Sequence, residues 1–169
     1  MTTTWISEDG EPVSEKISIS GWVLVFIRGC AILLVILIGL VLKFLLRFFE
    51  KPLFGDRRPA TPFITVLVSK ISLYLLSIRV KRLGTPLERP GALVANHSSW
   101  LDIFALNSSQ RLYFVSKSEV ARWPGIGLLA KATGTLFIRR EAKEAFAQKK
   151  LLEQRIKMGH RLLFFPEGT

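Results

Sequence analysis

The feature that most constrains this chain is an uninterrupted apolar run from Trp22 to Leu42, WVLVFIRGCAILLVILIGLVL, in which Arg28 is the only charge. At 1.5 Å per residue such a run makes roughly 31 Å of helix, about the thickness of a bilayer's hydrocarbon core. It is apolar on every side, which predicts a lipid-facing helix rather than a core helix showing one stripe to a partner. Arg28 lies near the start of the run, within reach of an interface by snorkelling. No small-residue cleavage site follows, so the segment reads as an anchor and not as a removed signal peptide.

The flanks are asymmetric. Residues 1–20 are polar and acidic, with Glu8, Asp9, Glu11 and Glu15 against Lys16, whereas Lys43, Arg47, Lys51, Arg57 and Arg58 follow the run. The positive-inside rule places the C-terminal side in the cytoplasm. The expected organisation is a polar tail over 1–20, a membrane-spanning or membrane-anchoring helix over 21–50, a linker with a second apolar segment over 51–80, and a catalytic domain over 81–169. KPLFGDRRPATP, with three prolines and a glycine, reads as the break. Phe63–Val80 fits an interfacial helix, the second arm of a hairpin that does not cross, or a core helix, in that order.

The chain carries 24 Lys and Arg against 13 Asp and Glu, a formal net charge of +11, and about half of it is hydrophobic. That combination is a poor match for a disordered chain and favours an anionic membrane surface over nucleic acid as partner. One cysteine, Cys30, permits no disulfide within the chain.

Beyond Lys81 short apolar runs alternate with polar turns and helical stretches. Ala92–Ala95 leads into NHSSWLD and Leu112–Val115 into SKSEV. Leu136–Ile138 leads into a charged helix over Arg140–Met158, and Leu162–Phe165 into PEGT. The alternation predicts an α/β domain with a mostly parallel sheet. In NHSSWLD, His97 follows a predicted buried strand, where α/β folds display side chains to ligands. A histidine suits general-base work near neutral pH, and an acid on its other ring nitrogen would fix the tautomer. Five residues of continuous helix would hold His97 and Asp102 about 140° apart. A meeting therefore requires His97 in the turn and Asp102 in the first helical turns. The competing reading is a cap: Ser99-x-x-Asp102 fits a capping pattern. Two histidines and one cysteine make a metal site a poor fit. In GTLFIRR, strand alternation sends Arg139 and Arg140 to opposite faces, so one can grip a phosphate while the other meets solvent. Glu167, in FPEGT, is displayed at a strand's C-terminal end.

Taken together and in this order, NHSSWLD, GTLFIRR and FPEGT resemble the first three sequence blocks of the glycerolipid acyltransferases, of the 1-acyl-glycerol-3-phosphate acyltransferase type. KSEVARWPGIG is similar to a further stretch of that family, and the likeness covers about Leu83 to Thr169. The resemblance implies a glycerolipid acyltransferase-like α/β domain behind one or more membrane helices. It implies His97 as general base and Asp102 as its support. Gly134, Arg140, Glu167, Gly168 and Thr169 would shape the acceptor site, with Arg140 on the acceptor's phosphate. The donor would be acyl-CoA or acyl carrier protein and the acceptor a lysolipid, most simply 1-acyl-glycerol-3-phosphate giving phosphatidic acid. No cofactor or metal is expected, and the expected setting is a bacterial inner membrane with the catalytic domain on its cytoplasmic side. The family's fourth block should lie downstream of Thr169, so the chain is expected to be a C-terminally truncated fragment. The residue before Arg140, often an acid in such enzymes, is Arg139 here. That leaves two other readings open: acylation of a different lysolipid such as a lyso-aminolipid, and a noncatalytic tether for anionic membrane.

Overall fold

The computed structural model describes residues 17–139 and 141–166. It begins with α1, Ile19–Phe54, capped by the Ser18 hydroxyl on the Gly21 amide. α1 has 36 residues, a mean hydropathy of 2.9 over its most apolar window, and little burial. It is the one helix among the described residues long and apolar enough to cross a membrane. It outlasts the apolar run by three turns and passes through Pro52, where the sequence predicts a break; the chain turns only at Gly55, with φ +58°. The extra turns carry polar side chains on one stripe. Lys43 and Glu50 are buried and Arg47 lies between them, at the i, i+4, i+7 spacing of a single helix face.

That stripe faces α2, Thr61–Leu75, which runs back along α1 as the second arm of a hairpin. Glu50 closes the hairpin at its elbow. Its Oε1 accepts from the Ala60 and Thr61 amides at 2.6 and 2.9 Å, and its Oε2 accepts from the Thr61 hydroxyl at 2.8 Å. The carboxylate thus occupies the N-terminus of α2, whose amides have no helical partner and whose dipole favours a negative charge. Arg47 donates to the Gly55 and Arg57 carbonyls, and Lys43 to the Thr65 hydroxyl. At the far end Arg28 donates to the Ser77 hydroxyl at 2.9 Å. α2 also packs on α3, which ties the hairpin to the rest of the molecule.

The remainder is a parallel sheet with helices on both faces. The strands are β1 (Gly91–Val94), β2 (Tyr113–Lys117), β3 (Leu136–Ile138) and β4 (Arg161–Phe164), in the order β1-β4-β2-β3. α3, Leu101–Ser109, follows β1; a 3-10 turn over Ser118–Arg122 and α4, Ile126–Thr133, follow β2; α5, Ala145–Lys157, follows β3. Strand alternation divides the core in two. Leu112, Phe114, Leu163 and Phe165 pack with Leu106 of α3 on one face, and Tyr113, Val115, Leu136 and Leu162 pack with Leu152 and Ile156 of α5 on the other. Gly127 marks a tight crossing, since a Cβ there would run into the Ala121 carbonyl.

Candidate active site

β1 ends at Val94, and the chain then runs through an irregular turn before α3 starts at Leu101. His97 lies in that turn and Asp102 in the first turn of α3. His97 Nδ1 is 3.1 Å from Asp102 Oδ2, with the two side chains 33% and 26% exposed, so the pair sits in an open shallow site. The same oxygen accepts from the Ser98 and Ser99 amides, each at 2.9 Å. The bond from Ser99 is the reach-back half of a capping box, while the Ser99 hydroxyl takes the Leu101 amide at 3.2 Å. One carboxylate therefore both closes the turn and holds the imidazole. The Ser99 amide, with His97 and the Ser98 amide behind it, holds the Asp102 carboxyl below its usual range against the opposing effect of burial. At neutral pH it is an anion beside Nδ1, which favours the tautomer carrying its proton on Nδ1 and leaves the Nε2 lone pair outward.

The imidazole is fixed from below as well. Phe165, just past β4, stacks on the His97 ring with centroids 4.2 Å apart and planes 19° apart, and on Phe114 at 5.7 Å. The third sequence block thus supports the first through an aromatic column rising out of the core. Exposed apolar side chains, Val94, Trp100 and Ile103, lie beside the pair in the chain, and Trp100 meets Phe104 edge-on at 5.8 Å. Toward the other edge of the sheet a cleft of about 540 Å³ opens where β2 and β3 end. Arg122, Lys131 and Arg139 bring positive charge to it; Arg139 pairs with Glu144 at 3.1 Å. Among the described residues no cluster of histidine, cysteine and acidic side chains could hold a metal ion.

The other residues singled out from the sequence fall elsewhere. Arg140, Glu167, Gly168 and Thr169 lie outside the described residues. Gly134 is not brought to His97. It terminates α4 in the left-handed conformation, φ +84°, at the start of β3 and so at the opposite end of the parallel sheet. A Cβ there would stand 3.0 Å from the Arg58 guanidinium and 3.2 Å from the Tyr113 ring.

The model of the family described as Acyltransferase matches residues 77–169, more than half of the chain. The chain belongs to the acyltransferase family. Among curated proteins it is similar to the lyso-ornithine lipid O-acyltransferase of Rhodobacter capsulatus, with 52% identity over 165 residues, 98% of this chain and 59% of the relative. It is 43% identical to the lyso-ornithine lipid O-acyltransferase of Pseudomonas aeruginosa over 94 residues, 56% of this chain and 36% of the relative. It is 35% identical to the 1-acyl-sn-glycerol-3-phosphate acyltransferase of Neisseria gonorrhoeae over 107 residues, 61% of this chain and 42% of the relative. The chain thus spans about three fifths of the length of the first of these relatives and less of the others. No solved structure matches it.

Proposed function

We propose that the protein moves a fatty acyl group from an acyl thioester to the free hydroxyl of a lyso-aminolipid of the lyso-ornithine type. The observation that carries this reading is the extent of the likeness. Similarity to the Rhodobacter capsulatus acyltransferase runs through the N-terminal helices as well as the catalytic blocks, while the likeness to the 1-acyl-sn-glycerol-3-phosphate acyltransferase of Neisseria gonorrhoeae covers a smaller part of the chain. Acylation of 1-acyl-glycerol-3-phosphate is the second reading. Arg140, at the end of the GTLFIRR block, favours it, because a guanidinium suits a phosphate monoester.

The reaction we assign begins at His97. Its Nε2 takes the proton of the acceptor hydroxyl as the oxygen attacks the thioester carbonyl. Asp102 stabilises the imidazolium that forms, and the thiolate leaves as the tetrahedral adduct collapses, recovering that proton from His97. The 3.1 Å contact between His97 and Asp102 supports this assignment. The donor is acyl-CoA or acyl carrier protein, both anionic, and the basic cleft lined by Arg122, Lys131 and Arg139 suits either. Arg140, Glu167, Gly168 and Thr169 form the acceptor side in this reading, and exposed apolar residues such as Trp100 receive acyl chain. α1 anchors the protein in a bacterial inner membrane, with the acidic residues before it outside and the catalytic residues in the cytoplasm. The charge difference across α1 supports that orientation, and cysteine labelling of sealed vesicles reads it directly.

The deciding experiment presents the full-length protein, in native membranes, with lyso-ornithine lipid and lysophosphatidic acid in turn, each with acyl-CoA and with acyl carrier protein as donor. Faster acylation of lyso-ornithine lipid is expected. A preference for lysophosphatidic acid would install the second reading, and no transfer to either acceptor would overturn both.

A further inference from the structure

At the end of the sheet opposite His97 the structure has a cavity of about 340 Å³ that the proposed reaction does not use. Phe54, where α1 ends, forms one wall, and the first residues of β2 and β4 form another. Its lining contains Arg57, Arg58, Arg111, Arg161 and His160 and, among the described residues, no acidic side chain. Three of the four guanidiniums are held in place by neutral groups. Arg58 donates to the Ala132 carbonyl at 2.9 Å, Arg161 to the Glu88 carbonyl, and Arg111 lies over the Phe63 ring at 4.8 Å. Asp56 is close in sequence but lies 3.8 Å from Arg47 and does not line the cavity.

Like charges gathered without a counterion repel one another, and proteins place them so where an anion is to be received. The polar atoms here carry the same message. His160 is only 5% exposed, yet among the described residues neither ring nitrogen has a hydrogen-bond partner, and the same holds for Arg58 Nε and Arg161 Nε. Buried polar groups are otherwise almost always satisfied. His160 is also fixed in orientation, stacked on Tyr113 at 4.1 Å with planes 18° apart. The structure therefore offers preset donors, unmet hydrogen-bonding capacity and arginines with no ion-pair partner among the described residues around one space.

We propose that this cavity binds a phosphate group, held by Arg57, Arg58, Arg111 and Arg161 with His160 donating from beneath. A phosphate offers the several acceptor oxygens that arginine forks and an imidazole N–H can share, and the volume is ample for it. The phosphate is that of an anionic phospholipid head group. The cavity adjoins the end of α1, whose last turns lie beyond the apolar run yet still expose Phe48, Phe49, Leu53 and Phe54, a surface suited to the head-group layer of the bilayer that α1 is proposed to enter. The site is separate from the acceptor side: it is built on strand beginnings, whereas His97 and Phe165 lie beyond strand ends.

The test follows the imidazole carbon resonance of His160 in the full-length, histidine-labelled protein, assigned by its loss in His160→Phe. In nanodiscs of phosphatidylglycerol, compared with phosphatidylcholine, the resonance is expected to shift while that of His97 stays in place. Inorganic phosphate is titrated into detergent-solubilised protein in a separate arm. A response to both probes supports a phosphate site open to either source, and a response to phosphatidylglycerol alone assigns it to the lipid head group. A response to inorganic phosphate alone overturns the lipid assignment. Arg57→Gln with Arg111→Gln removes two exposed cations without touching the half-buried Arg58 and Arg161, so the protein stays folded, and at least a tenfold weaker response is expected. Lys149→Gln, an exposed change of the same charge on α5, is expected to alter nothing. Silence of the His160 resonance to both probes, or an undiminished response in the double variant, overturns the proposal.

Discussion

Asp102→Asn is the substitution that separates catalytic support from helix capping. Asp102 Oδ2 takes three donors, the Ser98 and Ser99 amides and His97 Nδ1. Asparagine keeps the shape and one carbonyl oxygen but loses the charge. Two charge-assisted bonds worth roughly 1.5–3 kcal/mol each become neutral ones worth roughly 0.5–1.5 kcal/mol. The side chain is about a quarter exposed, so solvent screening trims that difference, and the turn should lose only about 1 kcal/mol. Catalysis should lose more. A neutral amide cannot stabilise the imidazolium, and an amide NH₂ turned toward Nδ1 would force the ring into the wrong tautomer. The expected result is a fall in acyl transfer of about 10²–10⁴-fold, the usual worth of a positioned general base. His97→Ala should fall by a similar factor with membrane association intact. Ser99→Ala, which removes only the hydroxyl bond to the Leu101 amide, should keep most activity. The assay is the initial rate of acyl transfer in membranes, normalised to folded protein by thermal melting. If Asp102→Asn keeps more than a tenth of the wild-type rate, or loses rate only in proportion to folded protein, Asp102 is a cap and no more.

Three further outcomes are expected. Burial, with Arg155 and Arg58 nearby and Asp56 opposing weakly, pushes the His160 imidazole down to about 4. The unfolded chain then binds a proton between pH 6.5 and about 4 that the folded one refuses, so in phosphate-free buffer stability should fall as pH drops through that window, by up to about 3 kcal/mol; denaturant melts should lose that slope in His160→Phe. Gly134→Ala should cost about 1–3 kcal/mol, since the left-handed backbone strains any L side chain and the Cβ presses on Arg58; an unchanged melting temperature would refute the packing account. Arg140→Ala should weaken a phosphate-bearing acceptor by about tenfold to a hundredfold with little effect on the donor, and Arg139→Ala should do much less; kinetics with each substrate varied in turn decide, and a loss confined to the donor would move Arg140 to the carrier's site.

The parallel sheet was legible because Leu136–Ile138 and the runs at Ala92, Leu112 and Leu162 are short, apolar and bounded by turns, and the observed strands fall on them to within about a residue or two. The proximity of His97 and Asp102 was legible because five-residue spacing forbids it on one continuous helix and permits it across a turn. The reach of α1 was not. Hydropathy marks where lipid can surround a helix and says nothing of turns that continue it against a partner. The signal lay instead in Lys43, Arg47 and Glu50 recurring on one face. Pro52 opens the stretch whose prolines and glycine signal a break, but in the last turn it removes one hydrogen bond from a helix that has only two residues left to run. His160 could not have been singled out. Its surroundings come from α1's end, β2 and β4, which no local pattern unites.

The strand order has a consequence for how the molecule is made. β1, which delivers His97, pairs with β4 in the register Gly91↔Arg161, and β4 alone joins it to β2. On a ribosome β1 therefore emerges long before its partner, and α1 and α2 are already available to the membrane. Until β4 arrives, β1 is an unpaired edge, and the Phe165 platform under the imidazole does not exist. Such late closure is slow in free solution, where distant segments must find each other. Under the anchoring proposed for α1, a nascent chain tethered beside the bilayer searches a smaller space, and the anchor then acts during synthesis as well as after it. Among the described strands β4 is the last to be made, so the pairing of β1 and the Phe165 platform under His97 wait for the segment after α5.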